Sequence, residues 1–189
     1  MTVTTNTRTG VTVLGATMWL TGLPSAGKTT LARALADRLR ATGRRVEVLD
    51  GDELRRHLTA DLGFSREDRD TNVRRIAYVA RLLAGHGVLV LVSVIAPYAA
   101  TRAATRMLHQ ETGTAYLEVH VATPIEVCER RDIKGLYAQA RAGALTRLTG
   151  VDDPYEPPPA PDLRLDTAGR SVEESVAALH DLLVERGLG

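Results

Sequence analysis

The feature that most constrains this chain is a glycine-rich segment that reads Gly22-Leu23-Pro24-Ser25-Ala26-Gly27-Lys28-Thr29. It matches the phosphate-binding pattern G-x-x-x-x-G-K-S/T in full. Glycine lets the backbone wrap closely around a phosphate, and a helix that begins near Lys28 adds its positive N-terminal end. An apolar run precedes the segment and a helical pattern follows it, which is the context this pattern requires. The segment therefore predicts a site for ATP or GTP, without specifying what happens to the nucleotide.

Two side chains of this segment have predicted chemical roles. The ammonium group of Lys28 can bridge the β- and γ-phosphates, and the hydroxyl of Thr29 can ligate Mg²⁺. The chain has 24 basic side chains, of which only Lys28 and Lys134 are lysines. This unusual preference for arginine makes Lys134 a second position of interest.

Apolar runs alternate with helical stripes along the rest of the chain. Strands are predicted at residues 17–21, 46–49, 88–95, 116–121 and 163–165, and helices begin near residues 28, 66, 101, 124 and 171. Thr123 is the predicted cap of the helix that starts at Pro124. The run at 88–95 is nearly all apolar, as expected of a central strand covered on both faces. The alternation predicts an α/β fold, a doubly wound parallel sheet with helices on both faces.

The length of 189 residues suits one domain. We expect a disordered leader at residues 1–15, a single domain at 16–189, and a mobile lid at about 132–161, where the chain is first basic and then proline-rich. The net charge of +1 gives no bias toward nucleic acid or a membrane surface, and the longest apolar run is too short to span a bilayer. The one cysteine, Cys128, is predicted to be buried and fits a reducing compartment, the cytoplasm.

A pair of acids follows the second predicted strand, in Asp50-Gly51-Asp52. Ligands of open α/β sheets bind beyond the carboxyl ends of the strands, so these acids are expected to face the γ-phosphate. One aspartate can hold Mg²⁺ or its water, and the other can accept a proton from an acceptor hydroxyl. The alternative is a solvated turn whose aspartates cap a helix.

Phe64 is the only phenylalanine of the chain and lies in a polar segment. Its ring can stack on a nucleobase, although composition alone favours an anchor of the loop onto the core. Nearby arginines can hold a phosphate or sulfate, and some of them must be ordinary surface charges. These arginines are Arg55, Arg69, Arg74 and Arg75.

Taken together, these segments resemble the adenylylsulfate kinase family, whose members phosphorylate the ribose 3′-hydroxyl of adenosine 5′-phosphosulfate. The resemblance covers residues 18–186. It rests on the segments 22–30, 50–55, 61–76, 95–98, 127–132, 134–137 and 148–156. It implies a P-loop kinase fold, ATP with Mg²⁺ as the phosphoryl donor, a homodimer, and a functional link to an ATP sulfurylase.

The resemblance also implies roles for the matching positions. The residues expected to bind ATP are Gly22, Leu23, Pro24, Ser25, Ala26, Gly27, Lys28, Thr29, Thr30, Arg130 and Arg131. Those expected to bind the acceptor are Asp52, Arg55, Phe64, Arg69, Asn72, Ile95, Lys134 and Leu148. Lys28, Asp50 and Asp52 would be catalytic, with Asp52 as the base, and Thr29 and Asp50 would serve Mg²⁺. Phe64 would stack on the acceptor's adenine, the reverse of the expectation from composition.

The chain departs from the family pattern at four positions. Ala96 replaces a serine that is assigned as the site of a phosphorylated intermediate in some members. For this chain the resemblance therefore implies only direct in-line transfer from ATP to the acceptor. Ala99 replaces an arginine, Leu148 a second stacking phenylalanine, and Ala144 an acid. These departures leave open a P-loop kinase for another nucleotide-like acceptor. A nucleotide-binding switch without turnover is a further alternative, against which the complete P-loop and both aspartates argue.

Overall fold

The structure is a computed structural model that describes residues 15–189, so the predicted leader lies, apart from Gly15, outside the described residues. The elements, in chain order, are β1 (Ala16–Thr21), α1 (Lys28–Arg40), β2 (Val46–Asp50), α2 (Gly51–His57), α3 (Arg66–Ala84), β3 (Leu89–Ser93), α4 (Ala99–Gln110), β4 (Ala115–Val121), α5 (Ile125–Arg131), α6 (Leu136–Arg141), β5 (Leu163–Leu165) and α7 (Val172–Glu185).

The five strands form one parallel sheet in the order β2-β3-β1-β4-β5. This confirms the predicted doubly wound sheet. β1 lies at its centre, with Met18 opposite Leu91 on one side and Leu117 on the other. The strand order reverses at β1, and in open α/β sheets ligands bind at such a switch point, beyond the carboxyl ends of the strands. The glycine-rich segment follows β1 at this position.

Alternating residues of the central strands bury two apolar layers, one on each face of the sheet. Met18 and Leu91 face a layer that includes Leu35 of α1 and Leu179 of α7. Trp19, Val90 and Val92 face a second layer, in which Ile76 and Ala80 of α3 are buried. Cys128 is fully buried in the first layer, as predicted. The sheet is therefore covered on both faces, and its carboxyl edge remains for the site.

Side-chain caps explain some of the helix starts. Ser65 accepts a hydrogen bond from the backbone N–H of Asp68 and caps α3, and Ser171 and Glu174 form a full capping box on α7. The prediction that Thr123 caps α5 was wrong, because its hydroxyl donates instead to the carbonyl of Ala26, 2.9 Å away. Long-range hydrogen bonding therefore replaced a local cap at this position.

The main differences from the prediction are two additional helices and the end of β3. The helices α2 and α6 were not predicted, since both are short and carry no extended apolar stripe. β3 ends at Ser93, two residues earlier than predicted, because the chain leaves the sheet there and runs to α4. None of the helices between residues 15 and 189 combines the length and apolarity that a membrane-spanning segment requires.

Candidate active site

The glycine-rich segment forms the turn between β1 and α1. Gly22 has a φ of 154°, and a Cβ atom there would lie 2.4 Å from the carbonyl oxygen of Val121, so only glycine fits. Gly27, with a φ of 105°, leads directly into α1. The carbonyl of Ala26 accepts hydrogen bonds from the hydroxyls of Thr123 and Thr167, at 2.9 and 3.2 Å. The conformation of the turn is thus stabilised by residues distant in the chain as well as by its own sequence.

Lys28 is buried at the start of α1. Its ammonium group donates to the carbonyl oxygens of Gly22 and Leu23, at 2.8 and 2.7 Å, so the side chain is folded back over the turn. Burial lowers the pKa of Lys28 from 10.5 to about 8, because a charged amine is poorly solvated there. The lysine is therefore placed where phosphate oxygens could take over its hydrogen bonds and stabilise its charged form.

Three oxygen-bearing side chains meet beside this lysine. The hydroxyl of Thr29 donates to Asp50 at 2.7 Å and lies 3.0 Å from the hydroxyl of Ser93. Because Thr29 has a single hydroxyl hydrogen, which Asp50 accepts, Ser93 must donate to Thr29. This leaves a second lone pair on the threonine oxygen. Hydroxyl and carboxylate oxygens are the ligands that Mg²⁺ prefers.

Asp50 also caps α2. Its carboxylate accepts from the backbone N–H groups of Asp52 and Glu53, at 3.1 and 3.4 Å. The capping alternative and the expected position beside the phosphate turn are therefore both correct for this residue. Asp52 is exposed in the first turn of α2, and its carboxylate pairs with the ammonium group of Lys134, from the loop between α5 and α6. The structure brings the second lysine of the chain to the predicted base.

Phe64 lies in the loop between α2 and α3 and is 56% exposed. It does not anchor its loop to the core, contrary to what composition favoured. The Arg55 guanidinium lies 4.4 Å from the ring centroid and donates to the carbonyls of Leu62 and Gly63, at 3.2 and 2.8 Å. The ring is thus held by a cation–π contact that leaves much of its surface accessible.

Arg69 is buried next to this loop and uses its donors within the protein. It donates to the carbonyls of Phe64 and Arg147 and pairs with Asp153 at 3.0 Å. The side chain of Asn72 accepts from the hydroxyl of Thr59 at 2.7 Å and is also nearly buried. Both side chains therefore use these polar groups in contacts within the protein.

The other predicted positions lie around the same edge of the sheet. Ile95 follows β3, and its carbonyl accepts from the hydroxyl of Thr21. Arg131 donates to the hydroxyl and carbonyl of Thr167, at 2.8 and 2.9 Å, whereas Arg130 is exposed. Leu148 is buried in the first apolar layer and offers no exposed face comparable to Phe64. Of the remaining arginines, Arg75 is an exposed partner of Asp61, as expected of a surface charge.

Sequence reasoning missed several residues of the site. Ser93 and Thr21 each end a strand, and a polar residue at the end of an apolar run is a signal that could have identified them. Asp153 and Tyr155 follow no periodic pattern, and only their contacts with Arg69 and Thr21 place them at the site. Together with Leu23 they line an open cleft of about 580 Å³.

Comparisons with known proteins agree on one family. The family described as "Adenylylsulphate kinase" matches residues 14–166. The adenylyl-sulfate kinase of Synechococcus sp. (strain JA-3-3Ab) is 53% identical over 173 residues, which cover 92% of this chain and 96% of that protein. The adenylyl-sulfate kinase of Myxococcus xanthus (strain DK1622) is 51% identical over 174 residues, which cover 92% and 94%.

Solved structures show the same similarity. The APS kinase of Mycobacterium tuberculosis in complex with AMPPNP and APS has a TM-score of 0.87 and 50% identity, with 89% of this chain and 97% of that chain covered. The hexameric APS kinase of Thiobacillus denitrificans has a TM-score of 0.73 and 38% identity, with 94% of this chain and 30% of that chain covered.

Proposed function

Because the chain belongs to the adenylylsulphate kinase family, we propose that it transfers the γ-phosphoryl group of ATP to the 3′-hydroxyl of adenosine 5′-phosphosulfate. The products are 3′-phosphoadenylylsulfate and ADP, in the activation of sulfate. The observation that carries this conclusion is the 2.7 Å hydrogen bond between Thr29 and Asp50, which joins the phosphate-binding turn to the end of β2. It supports an arrangement in which the phosphate tail of a nucleotide bound at the turn would face the acids that follow β2.

In the proposed reaction the acceptor's 3′-hydroxyl oxygen forms a bond to the γ-phosphorus while the bond from that phosphorus to the β,γ-bridging oxygen breaks. Asp52 accepts the hydroxyl proton, and ADP leaves with the bond's electron pair. Lys28 stabilises the charge that develops on the phosphoryl oxygens. Ala96 has no hydroxyl, so transfer is direct and no phosphorylated side chain forms at that position.

The acceptor would lie against the exposed face of Phe64, with its adenine stacked on the ring. Arg55 holds that ring in place, while Arg69 and Asn72 hold the surrounding wall. Lys134 would leave Asp52 when substrate enters and turn toward a phosphate or sulfate oxygen. The exposed ion pair between them contributes little to stability, so breaking it requires little free energy.

The oxygen donors fit Mg²⁺ as the ion that accompanies ATP. Among residues 15–189, no three histidine, cysteine, aspartate or glutamate side chains cluster in a way that could hold a metal by themselves. Mg²⁺ is usually held by one or two carboxylates, water and substrate phosphates, so Thr29 and Asp50 would suffice. When bound, the ion neutralises charge on the phosphates.

Several further expectations remain proposals. We propose a single domain at residues 16–189 with a lid at about 132–161, in which Lys134 would approach substrate and Arg130 and Arg131 would lie beside ATP. A homodimer, a functional link to an ATP sulfurylase and a cytoplasmic location are proposed on the family resemblance and on the buried, unpaired Cys128.

The decisive experiment is a coupled ADP-release assay with and without adenylylsulfate. We expect ADP release to require adenylylsulfate and to be much weaker with AMP or adenosine. Faster release with another nucleotide-like alcohol would favour the alternative kinase, which the departures from the family pattern leave open at Ala96, Ala99, Ala144 and Leu148. ADP release that no acceptor stimulates would contradict a kinase function and favour a nucleotide-binding switch.

A further inference from the structure

Arg102 is the most deeply buried arginine that the proposed mechanism does not use. It lies in the first turn of α4, and its side chain is only 2% exposed. Its charge is neutralised by Glu118 of β4, whose carboxylate accepts from the guanidinium Nε at 2.9 Å. A buried charge is costly unless it is paired and hydrogen-bonded, so the remaining donors of this group are informative.

Those donors reach two backbone carbonyls that belong to different segments. One terminal nitrogen donates to the carbonyl of Ala96 at 2.7 Å, and the other donates to the carbonyl of Glu156 at 2.6 Å. Ala96 comes directly after Ile95 in the loop at residues 94–98, which follows β3. Glu156 belongs to residues 153–156, which we call the strap. A planar guanidinium is suited to fix two such carbonyls at once.

The loop that Arg102 holds has a strained conformation. Ala96 has a φ of 44°, in the left-handed region that residues other than glycine rarely adopt. Such a conformation persists only where surrounding contacts determine it. Arg102 supplies one such contact at the carbonyl of Ala96, and Thr21 supplies another at the carbonyl of Ile95. These two contacts fix the backbone at Ile95 and Ala96, and the family resemblance assigns Ile95 to the acceptor pocket.

The strap connects this loop to the rest of the acceptor side. Its Glu156 donates from the backbone N–H to the carbonyl of Pro97 at 2.9 Å, and its carboxylate accepts from the N–H of Ala99 at 2.7 Å. At the other end, Asp153 pairs with Arg69, which also holds the carbonyl of Phe64. The strap therefore links the loop at 94–98 to the aromatic ring on which the acceptor would stack.

We propose that Arg102 is a positioning residue for the acceptor, because its guanidinium fixes the loop at 94–98 and the strap relative to each other. This inference rests on the proposed function. It assigns no direct contact with substrate to Arg102. Its loss should disturb acceptor binding more than ATP binding. The contacts of Lys28 and Thr29 do not include the strap, although the hydroxyl of Tyr155 in the strap lies 3.1 Å from that of Thr21, directly before the phosphate-binding turn.

The test compares two arginines on the same helix. Arg102→Lys keeps a charge beside Glu118 but cannot hold both carbonyls with one ammonium group. Arg106→Lys is the matched control, since Arg106 pairs with Asp162 at 2.8 Å and with Glu118 at 3.6 Å. We expect Arg102→Lys to raise KM for adenylylsulfate about 10-fold, as displaced positioning residues do, with KM for ATP changed less than about 2-fold. Arg106→Lys should change neither KM by more than about 2-fold.

A second variant covers the case in which Arg102→Lys does not fold. The double substitution Arg102→Gln with Glu118→Gln removes both buried charges together, and the shorter side chain still fails to reach both carbonyls. We expect the same selective rise in KM for adenylylsulfate, while Glu118→Gln alone should show a smaller one. Melting temperatures establish that each variant is folded.

The outcomes separate the two proposals. If the wild-type protein does not phosphorylate adenylylsulfate, the proposed function fails. If the wild type is active but folded Arg102→Lys keeps its KM for adenylylsulfate, the positioning role is overturned. An equal rise in both KM values, or an equal rise in Arg106→Lys, would also overturn it, because the effect would then be a general one of α4.

Discussion

The cleft has a donor half, which is the phosphate-binding turn at residues 22–29, and an acceptor half, which comprises Phe64, the loop at 94–98 and the strap. These two halves are held in place in different ways. Lys28 is fixed by carbonyls that lie five and six residues away along the chain. Arg69 is fixed by partners 78 and 84 residues away, and Arg102 by a carbonyl 54 residues away. Lys28 is thus held by local contacts, although the carbonyl of Ala26 in the same turn accepts from the distant Thr123 and Thr167. Both arginines of the acceptor half depend on distant segments.

This difference has a consequence for specificity. Changes in the loop at 94–98 or in the strap should alter the acceptor pocket more than the phosphate-binding turn, which these segments approach through the hydroxyl of Thr21. The four departures from the family pattern, at Ala96, Ala99, Ala144 and Leu148, all lie on the acceptor side or in the proposed lid. We therefore expect substitutions in the two halves to separate into effects on catalysis and effects on acceptor KM.

The largest effect is expected on the donor side, from Lys28→Ala. Loss of the ammonium group should lower kcat by at least about 10³-fold, because the charge that develops on the phosphoryl oxygens is no longer stabilised. The melting temperature should change little, since the amine is desolvated in the folded protein. Arg38→Ala, on the exposed face of α1, is the control and should have wild-type kcat. Near-normal turnover of Lys28→Ala would refute the assigned role.

Asp52→Asn tests the point at which the two halves meet. If Asp52 accepts the hydroxyl proton, kcat should fall about 100-fold while KM for ATP stays close to that of the wild type. Asp50→Asn should instead raise the Mg²⁺ concentration needed for half-maximal activity, since Asp50 contacts Thr29. A reversal of these two results would exchange the roles of the aspartates.

Phe64→Leu tests the acceptor half alone. Stacking of a base on an aromatic ring contributes about 1–3 kcal/mol, so KM for adenylylsulfate should rise about 10-fold. KM for ATP should stay within about 2-fold. Tyr78→Leu is the matched control, because Tyr78 is also an exposed aromatic residue but lies on α3. If the two variants behave alike in steady-state kinetics, the stacking role is wrong.

The smallest expected effect is the uptake of protons by Lys28 when a nucleotide binds to the donor half. The pKa of Lys28 is lowered to about 8 by burial, and bound phosphate should raise it by favouring the charged amine. Nucleotide binding should therefore take up about three-quarters of a proton at pH 8.5 but only about a tenth at pH 7. Calorimetry in buffers of different ionisation enthalpy measures this uptake.

Lys28→Arg provides the control for that experiment, because a guanidinium does not titrate in this range. Its proton uptake should not rise between pH 7 and pH 8.5. Equal uptake by the wild type and by this variant would show that another group, and not Lys28, titrates when nucleotide binds.

Much of this protein could be predicted from its sequence. The parallel sheet followed from the alternation of apolar runs and helical stripes, and the phosphate-binding turn followed from eight consecutive residues. Asp50 lies at the carboxyl edge of the sheet, where it was expected, and contacts Thr29, whereas Asp52 pairs with Lys134. The prediction of a helix cap at Thr123 was wrong, because its hydroxyl donates to the carbonyl of Ala26. The short helices α2 and α6 were not predicted, because they lack an extended apolar pattern.

The sequence by itself determined the phosphate-binding turn, since glycine, lysine and threonine at fixed spacing have the required backbone freedom and charge within a single turn. Only the tertiary structure decided the acceptor half. The exposed face of Phe64, the burial of Leu148 and the hydrogen bonds of Arg102 all depend on segments that meet through the sheet and its connections. The physical reason is that a contact between distant residues carries no local pattern, and it forms only where the packing of the whole domain has already placed both partners.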